Sequence, residues 1–199
     1  MRLVVATGNP GKLAEIEAVL AGLAFELIAQ SALGIPEAEE TGATFVENAL
    51  IKARQACERS GLPALADDSG LCVDALEGAP GLISAHYGGV HGDAQRNIKR
   101  LLRELDAVPP GARTAHFLST IVLLRHARDP SPVIVEGRWD GEILRAPRGS
   151  GGFGYDPVFY DPVLGMSAAE LQPSRKNRVS HRGRALLALR ERLQAQTLS

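Results

Sequence analysis

The sequence predicts a mixed α/β fold, one domain in two lobes around a central cleft. Three observations carry that expectation. The chain opens on a short β-branched run, Arg2–Thr7, closed by Gly8-Asn9-Pro10-Gly11 and followed by a helical pattern and a second apolar run. That is the order of a right-handed parallel crossover. Two long strand candidates, Arg113–Arg125 and Val133–Leu144, are joined by a short link holding Asp129-Pro130-Ser131-Pro132. So short a link suits an antiparallel hairpin and makes the sheet mixed. Between these strands lie segments with apolar residues at helical spacing.

Taken in order, a helix is expected from about Lys12, with Leu13, Ile16, Val19 and Leu20 on one face, and Phe25–Ala29 reads as the second strand. Ser31–Thr41 is a loop carrying Glu37, Glu39 and Glu40. Thr44-Phe45-Val46-Glu47 matches a capping box and opens a helix to about Ser60, its apolar stripe being Phe45, Ala49, Ala53 and Ala56. Lys52 lies off that stripe. Ala64–Asp67 and Leu71–Ala75 read as two strands about a turn, Asp68-Ser69-Gly70. A glycine-rich loop from Gly78 to Gly92 precedes an amphipathic helix marked by Ile98, Leu101, Leu102 and Leu105. Gly149–Gly154 is a glycine loop, and Ser180 caps a last helix that buries Leu186, Leu189 and Leu193.

With 22 Lys+Arg against 23 Asp+Glu, the 199-residue chain has no overall field to draw it to nucleic acid or membrane. Any anion site must be local. Neither the N-terminal apolar stretch nor any other window reaches a signal core or a membrane span. Cys57 and Cys72 show no metal spacing and fit reduced, buried thiols, so a cytoplasmic protein is expected. The histidines, His86, His91, His116, His126 and His181, make no zinc pattern. No serine sits in a nucleophile elbow.

Four segments can carry chemistry. Thr7-Gly8-Asn9-Pro10-Gly11-Lys12 joins strand to helix, where free N–H groups and the helix dipole attract anions. It is not a Walker loop, since Leu13 stands where Ser or Thr would hold magnesium. Glu39, Glu40, Asp67 and Asp68 supply hard oxygens of the kind magnesium takes together with substrate phosphates, and Asp67 and Asp68 close an apolar strand. Arg175-Lys176-Asn177-Arg178 and Ser180-His181-Arg182 gather cations near a helix start, where a bound anion would relieve the dipole. Gly152-Phe153-Gly154-Tyr155-Asp156 lets backbone and ring approach a planar ligand.

Together these segments resemble the inosine/xanthosine triphosphate pyrophosphatase family along nearly the whole chain. Glu47-Asn48-Ala49, Lys52-Ala53-Arg54, Ala66-Asp67-Asp68-Ser69-Gly70-Leu71 and Gly78-Ala79-Pro80-Gly81 extend the match in the same order. The resemblance implies a long curved sheet flanked by helices, a homodimer, and magnesium-dependent hydrolysis of ITP, dITP and XTP to the monophosphate and pyrophosphate. By position, Asp68 resembles the catalytic carboxylate, and Glu39 with Asp68 the metal ligands, with Glu40 a sharer of that role. Thr7, Gly8, Asn9, Pro10, Gly11, Lys12, Lys52 and Ser69 resemble triphosphate contacts. Phe153, Gly154, Tyr155, Asp156, Lys176, His181 and Arg182 resemble the residues that enclose and read the base, Arg182 or a main-chain N–H being suited to a 6-oxo acceptor. His86 stands where bacterial members are expected to carry arginine. A phosphatase working through an aspartyl-phosphate would want Asp-x-Asp, and a nucleotide- or RNA-binding module would need no carboxylates beside its phosphate loop.

Overall fold

The computed structural model describes residues 1–197, with side chains through residue 195. One seven-stranded sheet has the order β2-β1-β3-β4-β5-β6-β7, and the chain divides into two compact units. The first holds Met1–Asp68, Ser119–Gly137 and the chain from His181 on; the second holds Ser69–Leu118 and Arg138–Ser180.

In the first unit, β1 (Arg2–Ala6) leads into α1 (Pro10–Leu20) and β2 (Glu26–Ala29), and β1 pairs in parallel with β2, as the opening pattern requires. Its other parallel neighbour is the start of β3 (Ala64–Val73), with Val5 beside Leu65. Both faces of β1 are covered, which is why it reads as an unbroken apolar run. Leu3, Val5 and Leu65 face Ile16 and Leu20 of α1 and Leu186 and Leu189 of α5 (His181–Thr197). Val4, Ala6, Ala64 and Ala66 face Ala49, Ala53 and Ala56 of α2 (Phe45–Ser60). Small residues on both sides let that helix lie close to the sheet. Thr44 caps α2 by accepting from Glu47 N–H, while the Glu47 carboxylate accepts from Ala43 N–H at 2.8 Å. From α5, Arg190 donates to Val19 and Ala21 carbonyls at the end of α1.

The second unit closes around aromatics. α3 (Ala94–Glu104) sends Leu101 in, and Leu105 just beyond its end joins Phe117, Trp139, Tyr155 and Phe159 in the core. The Phe117 and Phe159 rings lie 4.7 Å apart, and Trp139 Nε1 donates to Asp161 at 2.8 Å. The hairpin strands are β4 (Thr114–Leu124) and β5 (Val133–Ile143). Ile143 N–H bonds to Arg113 O within this unit, and within the first unit Thr120 bonds to Glu136, so the residue numbers run in opposite directions. β6 (Phe159–Asp161) and β7 (Met166–Ser167) complete the sheet.

Two expectations are corrected. The stretch read as two strands and a turn is one ten-residue strand, β3, so Asp67 and Asp68 lie within it. They do not turn the chain because cations, not their own backbone, take their oxygens. The basic run forms a separate helix, α4 (Pro173–Val179), with Pro173 at its start and Lys176 and Arg178 in its last turn. Cations are favoured at that end, so the dipole argument for an anion there falls away.

Candidate active site

Successive residues of a strand point to opposite faces. Leu65 faces α1 and α5, so Asp67 does as well, and by the same count Ala64, Ala66 and Asp68 share the face of α2. The acid pair therefore divides between two environments rather than forming one site.

On the α1 side, the Asp67 side chain is fully buried. Its Oδ2 accepts from Lys12 Nζ at 2.8 Å and from Arg182 Nη2 at 3.1 Å, and Ser119 donates to Oδ1. Arg182, 2% exposed, also pairs with Glu15 of α1. Burial opposes ionisation of Asp67, but Arg182 foremost, then Lys12 and the Ser119 hydroxyl, hold its carboxyl well below the ordinary range. For Lys12, burial is the largest influence and draws the ammonium below its ordinary value, against the pull of Asp67. Its side chain keeps 16% exposure.

The turn leading to Lys12 is self-capped. Asn9 Oδ1 accepts from Gly11 N–H at 2.9 Å and Lys12 N–H at 3.1 Å, and Thr7 Oγ1 accepts from Asn9 N–H. Two helix donors expected to be open to an anion are thus taken by Asn9, and Pro10 has none to give. Gly8 is needed for another reason: the Glu37 side chain occupies the place its Cβ would fill.

On the α2 side, Lys52 Nζ donates to Asp68 Oδ1 and to Glu40 Oε1, both at 2.7 Å, and to Asp67 O at 3.0 Å. The Lys52 side chain is largely enclosed, 12% exposed. Asp68 is 8% exposed, and burial pushes its carboxyl up, the Lys52 and Lys12 charges notwithstanding. Burial works against the Lys52 charge, but Asp68 and then Glu40 outweigh it and raise the ammonium. Among the described residues nothing donates to Asp68 Oδ2. Glu40, 41% exposed, is the loop glutamate brought to Asp68 through their shared lysine; Glu39 is exposed on the same loop with no such tie. The first unit therefore pairs Asp68 with Glu40, where the sequence pointed first to Glu39.

No group of three or more His, Cys, Asp or Glu side chains is assembled for a metal among the described residues. Magnesium does not need one, since it takes one or two carboxylates and completes its shell with waters and phosphate oxygens. Asp68 and Glu40, two hard donors already converging on one cation with an oxygen each to spare, fit that mode.

In the second unit, Asp156 accepts from Phe153 N–H at 2.8 Å and from Lys176 Nζ at 2.6 Å, both acid and lysine being buried. Lys176 Nζ also lies 4.6 Å from the Phe153 ring centroid, a cation–π contact. Gly152 holds φ +70°, and Asp156 fills its Cβ place, so the loop folds down on its own acid. Gly154 continues the bend at φ +61°. Tyr155 is core, its hydroxyl donating to Ser84 O at 2.9 Å. Of the expected base-reading set, Phe153, Asp156 and Lys176 are thus brought together. Ser69, next along β3, is half-buried.

His181 and Arg182 belong to the first unit and are buried at the start of α5. Arg182 was expected to meet a base; in the first unit its guanidinium pairs with Asp67 and Glu15, as a buried guanidinium needs carboxylates. Glu15 and Ser119 went unread in the sequence. Ser119-Thr120 interrupting the apolar run of β4 was the available signal, since hydroxyls buried in a strand need partners.

Fold and site together define a mixed α/β protein with a lysine-flanked carboxylate centre beside a strand–turn–helix junction. The chain belongs to the Ham1 family, whose profile matches residues 3–192. It is 58% identical to a dITP/XTP pyrophosphatase of Xylella fastidiosa over 96% of each chain, and 55% identical to one of Thioalkalivibrio sulfidiphilus over 98% of this chain and 99% of that one. Among solved structures it is similar to a HAM1 protein from Coxiella burnetii, with TM-score 0.91, 47% identity and coverage of 98% and 99% of the two chains. A nucleoside-triphosphatase / dITP/XTP pyrophosphatase from Mycobacterium abscessus gives TM-score 0.75 and 48% identity, with 95% and 98% covered.

Proposed function

We propose that the chain is a nucleoside triphosphate pyrophosphatase for deaminated purine nucleotides, ITP, dITP and XTP. The observation that carries the reading is Asp68, a nearly buried carboxylate with one oxygen anchored by Lys52 and the other without a donor. Pushed up by burial, it is a stronger base than an ordinary aspartate and is suited to take a proton from water. The water oxygen attacks the α-phosphorus, the bond to the bridging oxygen breaks, and pyrophosphate departs. Lys12 and Lys52, the ammonium groups of this unit's two acid pairs, meet the charge that grows on the leaving group. Magnesium, held by Asp68 and Glu40, would supply Lewis-acid polarisation of the phosphates when bound. Phe153, backed by the Asp156–Lys176 pair, offers a ring face for the purine.

Support comes from the family and from relatives named dITP/XTP pyrophosphatase at 55–58% identity. The free thiols Cys57 and Cys72 accord with a cytoplasmic home, and no described helix is long and apolar enough to cross a membrane. The homodimer implied by resemblance is kept as the working assembly, for light scattering to decide. The deciding assay is pyrophosphate release from ITP, dITP, XTP, ATP and GTP, with magnesium and with a chelator. Metal-dependent release of pyrophosphate from the deaminated nucleotides is expected. Orthophosphate as the product, or equal turnover of ATP, would sink the reading.

A further inference from the structure

Asp67 stands at the meeting point of four elements of the first unit, and the proposed chemistry does not use it. Its Oδ2 holds Lys12 of α1 and Arg182 of α5, and its Oδ1 is held by Ser119 of β4. Arg182 is in turn paired to Glu15, one helical turn beyond Lys12. The two acids and two bases balance in charge. Without Lys12, the group would carry an excess negative charge in a place from which water is excluded, which is costly. Lys12 keeps more exposure than Asp67 or Arg182, and its own backbone N–H is fixed by the Asn9 cap. Both ends of the lysine are therefore anchored: its amide to the turn, its ammonium to the strand.

We propose that Asp67 is a positioning residue: it aims the Lys12 ammonium beside the strand–turn–helix junction, while Ser119, Arg182 and Glu15 hold Asp67 itself in place. The inference rests on the reading that Lys12 meets the polyphosphate. It assigns the two adjacent aspartates different work, Asp68 at the reacting water and Asp67 behind the lysine. Lys12 holds the bound polyphosphate as well as the charge that grows on it, so a misplaced ammonium raises KM as well as lowering kcat.

The test compares wild type, Asp67→Asn, Lys12→Met and the double variant in ITP hydrolysis, with thermal melts alongside. Asp67→Asn is expected to raise KM about ten-fold, and about two-fold or less in the Lys12→Met background, since an effect exerted through Lys12 cannot be lost twice. An equal rise in both backgrounds, or none in either, would overturn the proposal. A second readout needs no turnover: acetylation of Lys12 by acetic anhydride, followed by peptide mass spectrometry on the whole folded chain. Freed from Asp67, Lys12 is expected to react several-fold faster in Asp67→Asn, and in the same direction in Ser119→Ala, which carries the test if Asp67→Asn does not fold. Unchanged Lys12 acetylation in the folded variants would overturn the positioning role whatever the kinetics. Failure of wild type to release pyrophosphate would instead remove the functional reading and leave the acetylation result to decide Asp67.

Discussion

Asp67 and Asp68 are neighbours on one strand, and each is met by a lysine at under 3 Å, yet they end in opposite electrostatic states. On the α1 face, Arg182 and Ser119 join Lys12, and the carboxyl is driven well below its ordinary value. On the α2 face a single lysine is shared with Glu40, burial prevails, and the carboxyl rises. The difference teaches that a lysine contact does not by itself set a carboxylate's state. What decides is how many donors each buried oxygen receives: three cationic contacts and a hydroxyl for one acid, a single oxygen served for the other. An over-satisfied acid is a fixture; an under-satisfied one is a reagent.

The largest way to break the comparison is Asp68→Asn. The isosteric amide is expected to lower kcat by about 10³-fold, within the usual range for a lost general base, while the melting temperature holds or rises. Near-normal turnover by this variant would remove Asp68 from the chemistry. Next comes Arg182→Met, which leaves Asp67 and Glu15 buried against a neutral group. It is expected to cost about 3–5 kcal/mol in denaturant unfolding, as for other severed buried pairs. A small stability loss with a large change in preference among ITP, ATP and GTP would return Arg182 to the base-reading role first expected of it.

Smaller effects sharpen the metal assignment. Glu40→Gln is expected to raise the magnesium concentration for half-maximal activity about ten-fold, or about 1.4 kcal/mol, and Glu39→Gln to leave it nearly unchanged. The reverse order would favour the more exposed glutamate. The smallest effect is in pH. In metal-free protein, the stabilisation from Asp67 is present above the ordinary carboxyl value near 3.8 and is lost only as pH falls towards its much lower folded value. Asp68 runs the other way: its folded value is raised, so its contribution is present below 3.8 and lost as pH rises through the folded value. The stability of Asp68→Asn relative to wild type should therefore grow with pH across that interval, and that of Asp67→Asn should not. Parallel curves for the two variants would contradict the division between faces.

Much of this was written in the chain. The parallel opening, the capped helix at Thr44, the amphipathic helix of Leu101 and the hairpin all follow from periodicity and punctuation, and each formed. What periodicity could not tell was that Asp67-Asp68-Ser69-Gly70 would stay extended, because that depends on cations arriving from Lys12, Lys52 and Arg182, up to 115 residues distant. Turn propensity is local, and the charges that override it are not. The pairing of Arg182 was illegible for the same reason: its carboxylate partners lie on α1 and β3. Glu40, which shares Lys52 with Asp68, sits on a loop anchored by Ile35 and by Gln55 donating to Pro36 O, and no motif announces that anchoring. The glycine-punctuated loops were legible, but the self-capping within them by Asn9 and Asp156 was not.

The first unit is assembled from three separated stretches, and its last contribution is α5. During synthesis, β1 and α1 are made well before α5 and lack Leu186, Leu189 and the Arg190 clasp on Val19 O and Ala21 O until that helix arrives. A ribosome stalled before residue 181 therefore carries the opening strand with that flank covered by α1 alone and Asp67 without its guanidinium. A late helix thus completes an early strand, and a substitution in α5 is felt far back in the order of translation.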